Sequence, residues 1–231
     1  MKPGETRNEE GEMAGYMTLV LGMILLPCLY GGSMVLYRDS FQEERNRSRI
    51  PLRTGRELAV MLLGELALVR VWWTLGKCSV LEVRFQLLFV MLAGMTFFCM
   101  TDFWEQIVPN RMLLLLLLVF LLILGWQGIR DGEALFRLLP SVVLGLLFSM
   151  ISFGLGYLLS HGSMGAGDVK LALVMGLYLT GEYVVGAVFY GCIASAAYSL
   201  VQLARKKLSR KDTIPFVPFL YLGLIIRYLV G

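Results

Sequence analysis

Long apolar runs separated by short polar breaks limit what this chain can fold into. Seven of them, at 16–37, 57–75, 85–100, 112–126, 135–159, 183–203 and 214–230, carry few charged side chains. About 20 such residues in a helix cross a hydrocarbon core of roughly 30 Å. In that medium each backbone N–H and C=O must be satisfied within its own segment, which a helix does and an isolated strand cannot. Apolar residues make up 57% of the chain and charged residues 16%, with a mean hydropathy of +0.70. A soluble core of 231 residues cannot hide that much apolar side chain. The expected class is all-α, a polytopic membrane helical bundle.

An eighth run, 169–180, has only 12 residues and is short for a crossing. Lys and Arg placement decides how to count it. The loop at 38–56 holds six arginines, and 204–213 holds Arg205, Lys206, Lys207, Arg210 and Lys211. With eight spans and the N-terminus outside, both basic loops fall on the cytoplasmic side, as the positive-inside rule requires. A re-entrant 169–180 would separate them, so about eight transmembrane spans are expected. Residues 1–15 read as an acidic extracytoplasmic tail without signal-peptide character. Residues 16–231 then form a single membrane-embedded domain whose short cytoplasmic loop, 38–56, is too small for a core of its own.

Composition also removes some functions. A net charge of +4 spread over inner loops is no nucleic-acid footprint. Cys28, Cys78, Cys99 and Cys192 lack CxxC spacing, and His161 is the only histidine, so no metal or other cofactor is expected.

Two polar breaks remain. One is Thr101-Asp102, which ends the 85–100 run and leads to Pro109-Asn110. The other is Ser163-Met164-Gly165-Ala166-Gly167-Asp168-Val169-Lys170. Two expected spans separate Asp102 from Asp168, which puts both on the cytoplasmic side. By local sequence Asp168 is equally well read as a helix N-cap. Asp102 closes a helix, where a carboxylate gains nothing from its own macrodipole. As a pair they have a chemical use: carboxylates held together share a proton, so one can activate water while the other polarises a peptide carbonyl. Gly165 and Gly167, lacking Cβ atoms, would let an extended peptide approach, and Pro109 restricts how the next span begins. Glu57, Arg70 and Arg227 lie near span ends and can snorkel. Glu65 lies deeper, without an evident partner, and His161 is read as interfacial.

Residues 164–171 resemble the GxGD motif of the type IV prepilin peptidases. Asp102 with Pro109-Asn110 is similar to that family's first aspartate motif, and Gly32-Ser33 to the end of its first span. Ile214-Pro215-Phe216-Val217-Pro218-Phe219-Leu220 resembles its C-terminal Pro-Phe-Gly-Pro-Phe signature, with Val217 in place of glycine. The resemblance implies a membrane aspartic endopeptidase of the GxGD type with Asp102 and Asp168 catalytic. Gly165, Gly167, Lys170, Pro109 and Asn110 would be on the substrate-binding side. It implies prepilin or pseudopilin substrates of type IV pilus or type II secretion systems, cut at the cytoplasmic face of the cell membrane. Many members carry two CxxC pairs in the loop after the first span and N-methylate the new N-terminus. Here that loop has no cysteine, so zinc is not expected and methylation does not carry over.

Two other readings stay open. A presenilin-like protease would use the same pair inside the bilayer. A transporter or scaffold would use intramembrane acids to relay protons or dock a partner, but the acids lie at span ends and no inverted repeat is visible. Partners are the bilayer and the substrate, with no nucleic acid; self-association is left open.

Overall fold

The computed structural model of the protein describes residues 83–160, 164–206 and 214–230, together with Leu62, Gly64 and Leu66. Their long elements are all helices: α1 (Val83–Glu105), α2 (Asn110–Arg130), α3 (Gly132–Leu159), α4 (Ala166–Ala204) and α5 (Val217–Val230). The expected tail, the run at 16–37, the loop 38–56, Glu57, Glu65, Arg70 and His161 lie outside the described residues, as does most of the 57–75 run. Among the described residues four helices are long and apolar enough to cross a membrane: Val83–Phe103, Asn110–Arg130, Gly132–Leu159 and Tyr183–Ala204. Val217–Val230 is apolar but shorter. This is an α-helical membrane protein.

The helices differ in what surrounds them. In α1, 61% of the apolar window is buried, against 22% in α2, in α3 and in Tyr183–Ala204. α1 therefore belongs to the interior, and the other three present most of their surface outward. α2 turns Leu113, Leu116, Phe120 and Gln127 inward at helical spacing. Its outward residues, Leu114, Leu118, Leu121 and Leu122, are leucines too. Lipid tails are as apolar as leucine, so the outer face of such a helix need not be polar.

Several boundaries differ from the sequence reading. The polar break between the runs 112–126 and 135–159 shrinks to Asp131 alone. Its N–H donates to the Gln127 carbonyl, closing α2, and its side chain accepts the Ala134 N–H, opening α3. One residue caps both helices, so no longer linker is required. The 169–180 run is the first part of α4, which breaks at Thr180 (φ 62°, ψ 172°) before resuming. That backbone region is ordinarily glycine's and costs a non-glycine residue about 1–3 kcal/mol.

Packing over-determines the break. A Cβ on Gly145 of α3 would stand 2.8 Å from the Thr180 carbonyl carbon, and one on Gly176 would stand 2.6 Å from Ser149 Oγ. α3 and α4 thus cross at backbone contact, the close approach that small residues permit in membranes. Hydrogen bonds tie the interior further: Tyr178 OH donates to the Leu116 carbonyl at 2.6 Å, and Thr96 Oγ1 lies 3.3 Å from Tyr221 OH. Residues 86–231 form one compact unit.

Candidate active site

The last turns of α1 are lined by buried Phe98, Cys99, Met100 and Thr101, and Asp102 follows at 4% exposure. The helix does not stop there, as the sequence suggested. It continues to Glu105 and ends where Gln106 takes a positive φ of 54°. The Gln106 N–H donates to the Asp102 carbonyl at 3.1 Å, so the backbone of Asp102 is held within the final turn.

Its carboxylate has a partner from the far end of the chain. Val217 N–H, the first of α5, donates to Asp102 Oδ2 at 2.9 Å. Helix N-termini leave N–H groups without intrahelical acceptors. In the stretch Pro215-Phe216-Val217-Pro218 the prolines have no N–H, so Phe216 and Val217 are its only backbone donors, and the Val217 group goes to Asp102. Judging Asp102 against its own helix therefore chose the wrong macrodipole. The positive end that it meets is that of α5.

Asp168 arrives differently. Gly165 is the N-cap of α4 (φ −66°, ψ 134°) and Ala166 is the first helical residue. Asp168 is thus third in the helix, its N–H donating to the Gly165 carbonyl at 3.1 Å. It is not the N-cap that local sequence allowed. Its carboxylate folds back beside Gly165, where a Cβ would lie 3.4 Å from Oδ2. Burial raises the Asp168 carboxyl above its ordinary 3.8. Among the described residues, no N–H donates to this carboxylate.

The two carboxylates are near enough to feel each other's charge. Contacts between the flanking segments hold them there. Gly167 faces Val108, whose Cβ would be 3.1 Å from a Cβ at Gly167. Lys170 Nζ donates to Asn110 Oδ1 at 3.0 Å, joining the starts of α4 and α2. Pro109 is the N-cap of α2 (φ −67°, ψ 122°), and its carbonyl accepts the Met112 and Leu113 N–H groups. The predicted residues Asp102, Pro109, Asn110, Gly165, Gly167, Asp168 and Lys170 are thereby linked at one end of the bundle. Sequence reasoning missed Val108 and the Val217 N–H donor. The prolines Pro215 and Pro218, three positions apart, were the available signal for the second. Among the described residues no three His, Cys, Asp or Glu side chains cluster to hold a metal ion.

Residues 89–200 match the type IV leader peptidase family. The matched segment contains Asp102, Asp168 and the contacts between them, and ends before α5. The chain is also 28% identical over 131 residues to the "Prepilin leader peptidase/N-methyltransferase" of Bacillus subtilis (strain 168). That alignment covers 57% of this chain and 50% of the relative, so the chain spans about half the length of the curated relative it matches. No solved structure matches. The resemblance to leader peptidases read from the motifs thus holds over the segment that carries both aspartates.

Proposed function

We propose that the protein is a membrane aspartic endopeptidase that removes the leader peptide of prepilins or pseudopilins. The observation that carries this is the convergence of Asp102 and Asp168, from α1 and α4, with their carboxylates in electrostatic reach. Like charges so placed favour a state in which one carboxyl keeps its proton. The ionised aspartate takes a proton from water, whose oxygen attacks the scissile carbonyl carbon. The protonated aspartate donates to the carbonyl oxygen. Collapse of the tetrahedral intermediate expels the amine, which takes its proton from the aspartate protonated in the first step, while a hydroxyl of the intermediate returns a proton to the other aspartate. No nucleophilic side chain is required.

Gly165 leaves the approach to Asp168 open, and the Lys170–Asn110 pair with Pro109 borders the place where an extended peptide would lie. The proposed topology has eight spans, with the basic loops 38–56 and 204–213 inside. Both aspartates then face the cytoplasm, where a basic leader preceding an apolar helix is accessible. The activity proposed is leader cleavage; N-methylation of the new N-terminus is not part of the proposal.

The test is co-expression with a prepilin, followed by mass spectrometry of the pilin's N-terminus, which reads cleavage and methylation together. Asp102→Asn and Asp168→Asn should each abolish processing while the protein still inserts. Near-normal cleavage by either variant refutes the two-aspartate mechanism.

A further inference from the structure

The segment between α1 and α2 leaves backbone groups unpaired beside the two aspartates. Gln106 takes a positive φ of 54° where α1 ends. Residues 107–109 belong to no helix, and Pro109 stands at φ −67°, ψ 122°. A residue that precedes proline is driven out of the helical region, so Val108 is held extended by the sequence itself. Among the described residues, no N–H or C=O of Ile107 or Val108 pairs with another backbone group. Unpaired groups of this kind on an extended chain are a template for a second strand.

Contacts at both ends fix the segment along the site. Gln106, just before it, donates its N–H to the Asp102 carbonyl. Val108 lies against Gly167, the residue before Asp168: a Cβ there would stand 3.1 Å from the Val108 Cβ. The Lys170–Asn110 bond fastens the far end to α4. A plain linker needs none of this, since the same chain joins α2 to α3 through Asp131 alone. The space at Gly167 is taken by the protein's own Val108, so the glycine left open to an incoming chain is Gly165, which is exposed. Successive side chains of an extended chain point to opposite faces. Val108 turns to α4, and Ile107, its neighbour, is 45% exposed.

We infer that Ile107–Val108 is a docking strand: the scissile stretch of the leader peptide lies beside it as a second strand, held by main-chain hydrogen bonds that present one peptide bond to Asp102 and Asp168. In strand addition the main-chain bonds supply affinity and alternate side chains supply specificity. The bonds also replace those that a helical substrate gives up when its backbone is drawn out for cleavage. Ile107 is then a specificity contact, against which the substrate side chain opposite it packs. The inference rests on the proposed peptidase reading.

The test uses a synthetic peptide spanning the leader junction of a prepilin, N-methylated at one residue at a time, and the full-length protein in detergent. N-methylation removes one N–H and keeps the side chain. One strand edge uses every second N–H, so kcat/KM should fall by about 10-fold at alternate positions and change little between them. On the protein side, the amide of Ile107 or of Val108 is replaced by an ester. Their N–H groups point to opposite edges, so one ester should raise KM by about 10-fold and the other should leave it in place. Neither ester should lower the unfolding temperature, because these groups have no partner within the fold. A methylation pattern that is flat or spaced by three to four residues, two silent esters, or a destabilised ester variant overturns the docking strand and leaves the peptidase reading intact. Failure of the wild-type protein to cleave the unmodified peptide refutes the proposed function, and the docking strand with it.

Discussion

A methyl group at the crossing of α3 and α4 should damage both stability and the site. In Gly176→Ala the new Cβ would stand 2.6 Å from Ser149 Oγ and 2.9 Å from the Gly145 carbonyl carbon. Carbon contacts are comfortable near 3.5–4.0 Å, so the helices must part by roughly 1 Å. The obstructing carbon is backbone and cannot rotate away. Overpacking of this kind costs about 1–3 kcal/mol. Gly176 lies on the same rigid segment as Asp168, two turns further on, so the displacement reaches the carboxylate. A misplacement of about 1 Å in a catalytic geometry can cost on the order of 100-fold in rate. The assays are thermal unfolding in detergent and cleavage of a prepilin. Ser149→Ala is the control: its buried hydroxyl has no hydrogen-bond partner among the described residues, so removing it should be neutral or stabilising. Combined with Gly176→Ala, it should recover only part of the loss, because the Gly145 carbonyl remains. Wild-type unfolding and cleavage in Gly176→Ala would show that the helices do not cross at backbone contact.

Other expectations can be checked with the same protein. Asp168 has a raised carboxyl, so the folded protein binds its proton more tightly than the unfolded chain does. Stability is therefore lost as pH rises from 3.8 through the folded value, and the penalty is complete above it. Asp168→Asn should unfold at a higher temperature than wild type at alkaline pH, with the gap closing as pH falls toward 3.8. Thr180→Gly relieves a backbone conformation that disfavours side chains. Net of the entropy that glycine adds to the unfolded chain, it should stabilise by about 1 kcal/mol in an unfolding titration. Tyr178→Phe removes the 2.6 Å bond to the Leu116 carbonyl and should cost about 1 kcal/mol in the same measurement.

The site was legible in part. Asp102 and Asp168 could be picked out because charges beside hydrocarbon are costly and therefore sparse, and counting spans placed them on one side. The pairing of Lys170 with Asn110 could not be read, because it joins residues distant in sequence across two helix starts. Asp168 as N-cap was a fair local reading. It failed because Gly165 already takes the extended N-cap conformation, which moves the aspartate into the first turn.

The alternation of apolar runs and polar breaks determined the class of structure, since bilayer thickness and the demand for internal backbone hydrogen bonds act on each segment separately. For the same reason the single-residue link at Asp131 and the break at Thr180 were invisible: each depends on how neighbouring helices are capped and packed. The state of Asp102 is the clearest case of what only tertiary structure decided. Its sequence neighbours describe the last turn of α1, but its carboxylate answers to the first turn of α5. That contact exists because the first turn of α5 leaves the Val217 N–H without an intrahelical acceptor, and because folding brings a carboxylate to meet it.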